Sequence, residues 1–223
     1  MSIYLSESEL RNLLASSILE GLFKNTSSSG EGNIDSLSIG KNNANIQANF
    51  KYESVPNAKA ADNAITELNF WSGKKETDGN VKEKLKKYWE NLKSVWNKTP
   101  EDSIKNRIPW SAAFISYVSE DSFFKSSAHI TWKEKAEKNT KMINQDPKKF
   151  IGQTIYVLLP NDGKVKIEKG DNVWKEREGV GKSHSDIAIS DNEAIGGNLS
   201  DSVKKTTIDH PYVIKRVKIT GAA

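Results

Sequence analysis

The hydrophobic period of this 223-residue chain changes once, near residue 150, and that switch restricts it to folds in which helices precede a sheet. Before the switch, apolar residues recur at helical spacing. Ala61, Ala64, Ile65, Leu68 and Trp71 predict a helix that stops at Ser72-Gly73. Val81, Leu85, Tyr88, Trp89, Leu92 and Trp96 share one face of a second helix over about 80–97, ended by Pro100. A third is expected to begin at the Pro109-Trp110 step, where proline presets φ and its missing N–H is not needed. After the switch, Thr154 to Leu159 is an extended run closed by the turn signal Pro160-Asn161-Asp162-Gly163. Val165 to Ile167, His184 to Ile189, Ala194 to Ile195 and Tyr212 to Ile219 complete a set of short strands. The expected class is α+β, with helices packed on a small antiparallel sheet or half-barrel.

The N-terminal quarter follows another logic. Residues 1–24 read as an amphipathic docking helix: Ser6 and Glu9 form a capping box, Leu5 staples onto Leu10, and Leu10, Leu13, Leu14, Ile18 and Leu22 make one stripe. Residues 25–57 are rich in Asn, Ser and Gly and read as a polar linker or arm, with short strands near Ile46 and Phe50. The globular domain is expected over 58–223. An amphipathic helix on a polar tether suits docking on a protein partner.

Composition narrows the chemistry. The chain has no cysteine, which excludes disulfides, thiolate metal sites and a cysteine nucleophile. Its three histidines, His129, His184 and His210, show no short ligand spacing, so no metal is expected. Net charge is +4 and mean hydropathy −0.64, and no apolar run is long enough to span a bilayer. The first residues lack the basic-then-apolar pattern of a signal peptide. The lysines between Lys74 and Lys93 accompany no nucleic-acid-binding motif and read as the wet side of a helix.

Three segments carry the chemistry. Ser111, in Pro109-Trp110-Ser111-Ala112-Ala113-Phe114, stands near the first turn of an apolar helix. Free backbone N–H groups and the positive end of the dipole there stabilise developing negative charge. A small nucleophile so placed needs a base and a group that holds the base. His184, in His184-Ser185-Asp186-Ile187, is the candidate base. Asn198, after Gly196-Gly197, is the candidate orienting residue if a three-residue turn follows Ser190; a strict two-residue turn would flip it to the opposite face. Asp186 shares a face with His184 in either register and is the alternative. Trp110, His129 and Asp186 are further candidates for contacts to substrate.

Taken together, "PWSAAFISYV", "SSAHITW", "KGDNVWKEREG…SHSDIAI" and "IGGNLSDSV" resemble an uncharacterised bacterial and phage domain family. That family is similar in turn to the CHAP and NlpC-type cell-wall amidases and endopeptidases. The resemblance covers about residues 58–219 and implies a papain-like fold acting on peptidoglycan peptides without a cofactor, with Ser111 at the position of the cysteine, His184 at the base and Asn198 at the orienting residue. It implies a site of action on the cell wall, reached from a phage virion or tail or from a secreted or periplasmic position. Serine for cysteine is the departure: a thiol is partly ionised near neutral pH, whereas a hydroxyl depends wholly on its base. The competing expectation is a structural or adaptor protein of such an assembly that keeps the fold without catalysis.

Overall fold

The computed structural model describes residues 48–176 and 183–223. The docking helix expected over 1–24, and the arm as far as residue 47, lie outside the described residues. Phe50–Ser54, within the segment read as an arm, is strand β1 and pairs antiparallel with the last strand of the sheet. The order continues through α1 (Ala58–Trp71), α2 (Lys82–Glu90), α3 (Pro100–Lys105), α4 (Ser111–Val118) and α5 (His129–Gln145). Strands β2 (Thr154–Pro160), β3 (Asn172–Glu176), β4 (Ser183–Ala188), β5 (Glu193–Gly196), β6 (Lys204–Thr207) and β7 (Tyr212–Ala222) follow. This is an α+β chain with an open antiparallel sheet, helices first.

Local rules account for most of these elements. α1 ends where Ser72 adopts φ 41°, a left-handed stop followed by Gly73. α2 is regular only to Glu90, and turns carry the chain on through Leu92 and Trp96. Pro100 does more than end that segment. It opens α3, with the Thr99 hydroxyl accepting from the Asp102 N–H at 3.1 Å as a side-chain cap.

The sheet runs β1-β7-β3-β4-β5-β6, and β2 also pairs with β7. β2 pairs with Tyr212 to Lys218, which overlaps the stretches of β7 that pair with β3 and with β1. β2 therefore takes one edge of β7, and β3 and β1 share the other in tandem. Val165 to Ile167 joins no ladder and forms an irregular loop, whereas Lys204–Thr207 does form a strand.

Alternation along the strands splits the core in two. Leu158, Trp174, Ile187, Ile195 and Ile214 face the helices, against Trp71, Tyr88, Phe114 and Trp132. Val157, Leu159, Val173, Ala188 and Val213 pack on the opposite side with Phe50 and Ile143. The helices are tied by a buried polar chain: the Trp71 indole N–H donates to the Tyr88 hydroxyl at 2.9 Å, which donates to Glu67 at 2.5 Å. Lys84 closes it with a 2.7 Å ion pair to Glu67. Burial first, then the Glu67 charge, pushes the Tyr88 phenol far above its usual range, so it remains a donor. Among the described residues no helix is long and apolar enough to cross a membrane.

Candidate active site

Ser111 is the first residue of α4, and His129 is the first residue of α5. The two helix starts are brought together by hydrogen bonds. Ser116, on the buried face of α4, donates to the Ser126 carbonyl at 3.0 Å and accepts from its N–H at 3.1 Å. The Ser126 hydroxyl then donates to the Ala128 carbonyl and accepts from the Ala128 N–H, at 3.0 and 3.1 Å. This clamp fixes the residue before His129 relative to α4. Trp132 holds the imidazole from one side, ring centroids 5.2 Å apart and near perpendicular, while its indole N–H donates to the Phe124 carbonyl.

The result is a relay of three side chains. Ser111 Oγ lies 2.7 Å from His129 Nε2, and His129 Nδ1 lies 2.8 Å from Ser185 Oγ. A neutral ring with its proton on Nδ1 donates to Ser185 and accepts from the Ser111 hydroxyl, the arrangement a general base requires. His129 is buried, and Ser111 opens onto a pocket of about 430 Å³ whose walls include Ala112, Ala128, His129, His184 and Asn198. No side-chain cap is made at either helix start, so the first-turn N–H groups of α4 are left uncapped beside Ser111.

The sequence candidates distribute as follows. Ser111, His129, His184 and Asn198 all line this one pocket. The hydrogen bond of Ser111 goes to His129, expected only as a substrate contact. His184 stands beside it, the two imidazole centroids 5.3 Å apart, with its Nε2 2.7 Å from Asp186 Oδ1. Asn198 adopts φ 59° just past β5. The register pairs Ile187 with Ile195 and Ala188 with Ala194, and extending it sets Asn198 opposite His184. No hydrogen bond joins Asn198 to His184. Asp186 is 1% exposed and sits behind His184 rather than in the pocket wall.

Trp110 turns inward. It is 2% exposed, stacks on Trp71 at 4.8 Å and donates its indole N–H to Glu76, so its ring anchors the start of α4 from the core. Ser185 is the residue that sequence reasoning missed. Its signal was strand alternation: it faces opposite to His184 and Asp186, on the side of β4 that carries Ile187 toward the helices.

Asp186 faces two histidine rings. Burial alone would raise its pKa, but the close His184 and His210 rings outweigh that and hold the carboxyl well below the usual range. Among the described residues no cluster of His, Asp and Glu could hold a metal ion.

Gly196 and Gly197 make the assembly possible. A Cβ on Gly196 would lie 1.9 Å from Asp186 Oδ1, and one on Gly197 would lie 2.6 Å from the Phe114 Cβ on α4. Only bare backbone lets β5 approach both. Gly197→Ala is expected to destabilise the fold by about 1–3 kcal/mol through this overpacking, measured by denaturant unfolding. An unchanged midpoint would mean that α4 and β5 can separate freely.

In comparisons with known proteins, no family model matches the chain and no curated protein matches it. The likeness to cell-wall hydrolases rests on the residue motifs quoted above.

Proposed function

We propose that this chain is a serine-nucleophile acyl hydrolase of papain-like design, cleaving amide bonds in peptidoglycan peptides. The observation that carries the chemistry is the 2.7 Å contact between Ser111 and His129 at an uncapped helix start that opens on a pocket. His129 Nε2 takes the Ser111 proton as Oγ attacks the carbonyl carbon. The N–H groups at the start of α4 receive the oxyanion, and His129 returns the proton to the departing amine as the C–N bond breaks. Substrate class and site of action, on the cell wall from a virion or an exported position, rest on the resemblance. A partner docked through residues 1–24 would carry the domain there.

A second reading has an observation in its favour. The group behind His129 is the Ser185 hydroxyl rather than the carboxylate of a Ser-His-Asp relay, and a retained fold serving as an adaptor fits that difference. The deciding experiment is release of soluble muropeptides from purified peptidoglycan by the intact chain, beside Ser111→Ala and Ser111→Cys. Release by the parent that vanishes with alanine supports a serine-based hydrolase. No release by the parent or by Ser111→Cys leaves the adaptor reading.

A further inference from the structure

Behind the pocket lies a chain of buried titratable groups that the Ser111–His129–Ser185 relay does not use. His184 is 2% exposed, Asp186 1% and His210 1%. His184 Nε2 is 2.7 Å from one Asp186 oxygen, and His210 Nε2 is 3.3 Å from the other. Thr206, on β6, donates its hydroxyl to that second oxygen at 3.2 Å. The far nitrogen of His210 lies 3.3 Å from Asp209, which pairs with Lys175 at 2.5 Å near the surface. Burying three ionisable side chains is costly unless they serve one another. Here the two histidines converge on Asp186, one at each oxygen, and His184 is the member that reaches the pocket wall.

We propose that His184, backed by Asp186 and positioned by His210, is a second base of the site, and that it activates water in hydrolysis of the acyl-enzyme. This rests on the hydrolase reading above. A carboxylate oxygen 2.7 Å from His184 Nε2 favours a proton on that nitrogen, which leaves the Nδ1 lone pair for the pocket. Asp186 then stabilises the imidazolium that forms. The two bases divide the work by position. His129 is bonded to Ser111 Oγ and handles the proton of the nucleophile, whereas His184 shares the same pocket without that bond.

The step balances. Water attacks the acyl carbon and one of its protons passes to His184 Nδ1. The C–Oγ bond to Ser111 breaks, and the second water proton passes to the leaving Oγ through His129. The carboxylate product departs, and the proton on His184 goes to solvent. Asp186 and His210 touch neither water nor substrate and are positioning residues.

The test is a pre-steady-state assay of the full chain with p-nitrophenyl acetate, coupled to mass spectrometry of Ser111. In the parent, acetyl transfer to Ser111 is followed by turnover. His184→Ala is expected to keep a nitrophenol burst of about one per chain while the steady-state rate falls about 10²-fold or more and acetyl-Ser111 accumulates. Added imidazole should restore its turnover, which a merely structural role would not allow. His210→Gln should accumulate the adduct more weakly, about tenfold. If His184→Ala does not fold, His184→Gln, which keeps a polar contact to Asp186, carries the same readout. Turnover at the parent rate in a folded His184 variant, or loss of the burst itself, would overturn the inference. A parent that forms no acetyl adduct would instead overturn the hydrolase reading, and this inference with it.

Discussion

Exchange of His129 for asparagine is expected to lower Ser111-dependent hydrolysis by about 10²–10⁴-fold, the usual contribution of a positioned general base. Asparagine keeps a polar group near Ser185 and fits beneath Trp132, so the cost in stability should remain about 1–2 kcal/mol. Burst amplitude and unfolding midpoint, measured on the same preparation, separate the two effects. The geometry is what commits His129 to this role: its Nε2 is 2.7 Å from Ser111 Oγ, and His184 makes no hydrogen bond to that hydroxyl. The order of motifs along the chain points the other way, to His184. Acylation at the parent rate in His129→Asn, with acylation lost in His184→Asn, would restore the reading from motif order.

Lys215→Met is expected to destabilise the fold by about 3–5 kcal/mol near neutral pH, because it removes one partner of a buried ion pair. Lys215, on β7, is 2% exposed and its Nζ lies 2.7 Å from Asp171, 2.8 Å from Glu168 and 3.1 Å from the Lys166 carbonyl. Ser54 on β1 donates to the same Glu168. One ammonium thus pins the loop before β3 to the centre of the sheet.

The pH dependence follows from Asp171. Burial pushes its carboxyl from 3.8 up to about 6, against the opposing pull of Lys215. Between about 4 and 6 the folded chain therefore holds a proton that the unfolded chain has lost, so this group's contribution to stability declines as pH rises through that window. Without Lys215 the folded value moves higher still, and the decline extends toward neutral pH. Glu168 adds in the same direction. Burial raises it, but Lys215 and Ser54 hold it below its usual value, and that benefit, present above the unfolded value, disappears with Lys215. The variant should thus lie closest to the parent in acid and farthest at pH 7 to 8. Urea unfolding of both proteins across pH 4 to 8 reads this directly. A constant difference across the range would mean that Lys215 acts through packing of its stem rather than through charge.

Legibility in the sequence followed the strength of local signals. α1 was visible because its apolar stripe and stop signal agree, the start of α4 because a proline marks it, and β2, β4, β5 and β7 because extended apolar runs are bounded by turn residues. α5 was not recognised, although Trp132, Ala136, Thr140 and Ile143 are buried at helical spacing. Its exposed face is densely charged and its stripe includes a threonine, which dilutes the periodicity. β6 reads Lys-Lys-Thr-Thr with no inward apolar residue, as expected of a short strand at a sheet edge. Val165 and Ile167 look like a strand in sequence, but β7 already has neighbours on both edges and leaves them no ladder to join.

By itself the sequence determined the α+β order, the start of a helix at Ser111, the absence of any thiol and the same-side parity of His184 and Asp186. These are properties of a few neighbouring residues: periodicity, a proline at a helix start, alternation along a strand. Only the tertiary structure decided which histidine meets Ser111 and what stands behind it. Ser111, His129 and Ser185 are 18 and 56 positions apart, and they meet because the Ser116–Ser126 clamp draws α5 to α4 while β4 turns Ser185 toward both. A hydrogen bond requires ångström placement of two atoms, and that placement comes from how helices pack on a sheet, which motif order does not encode.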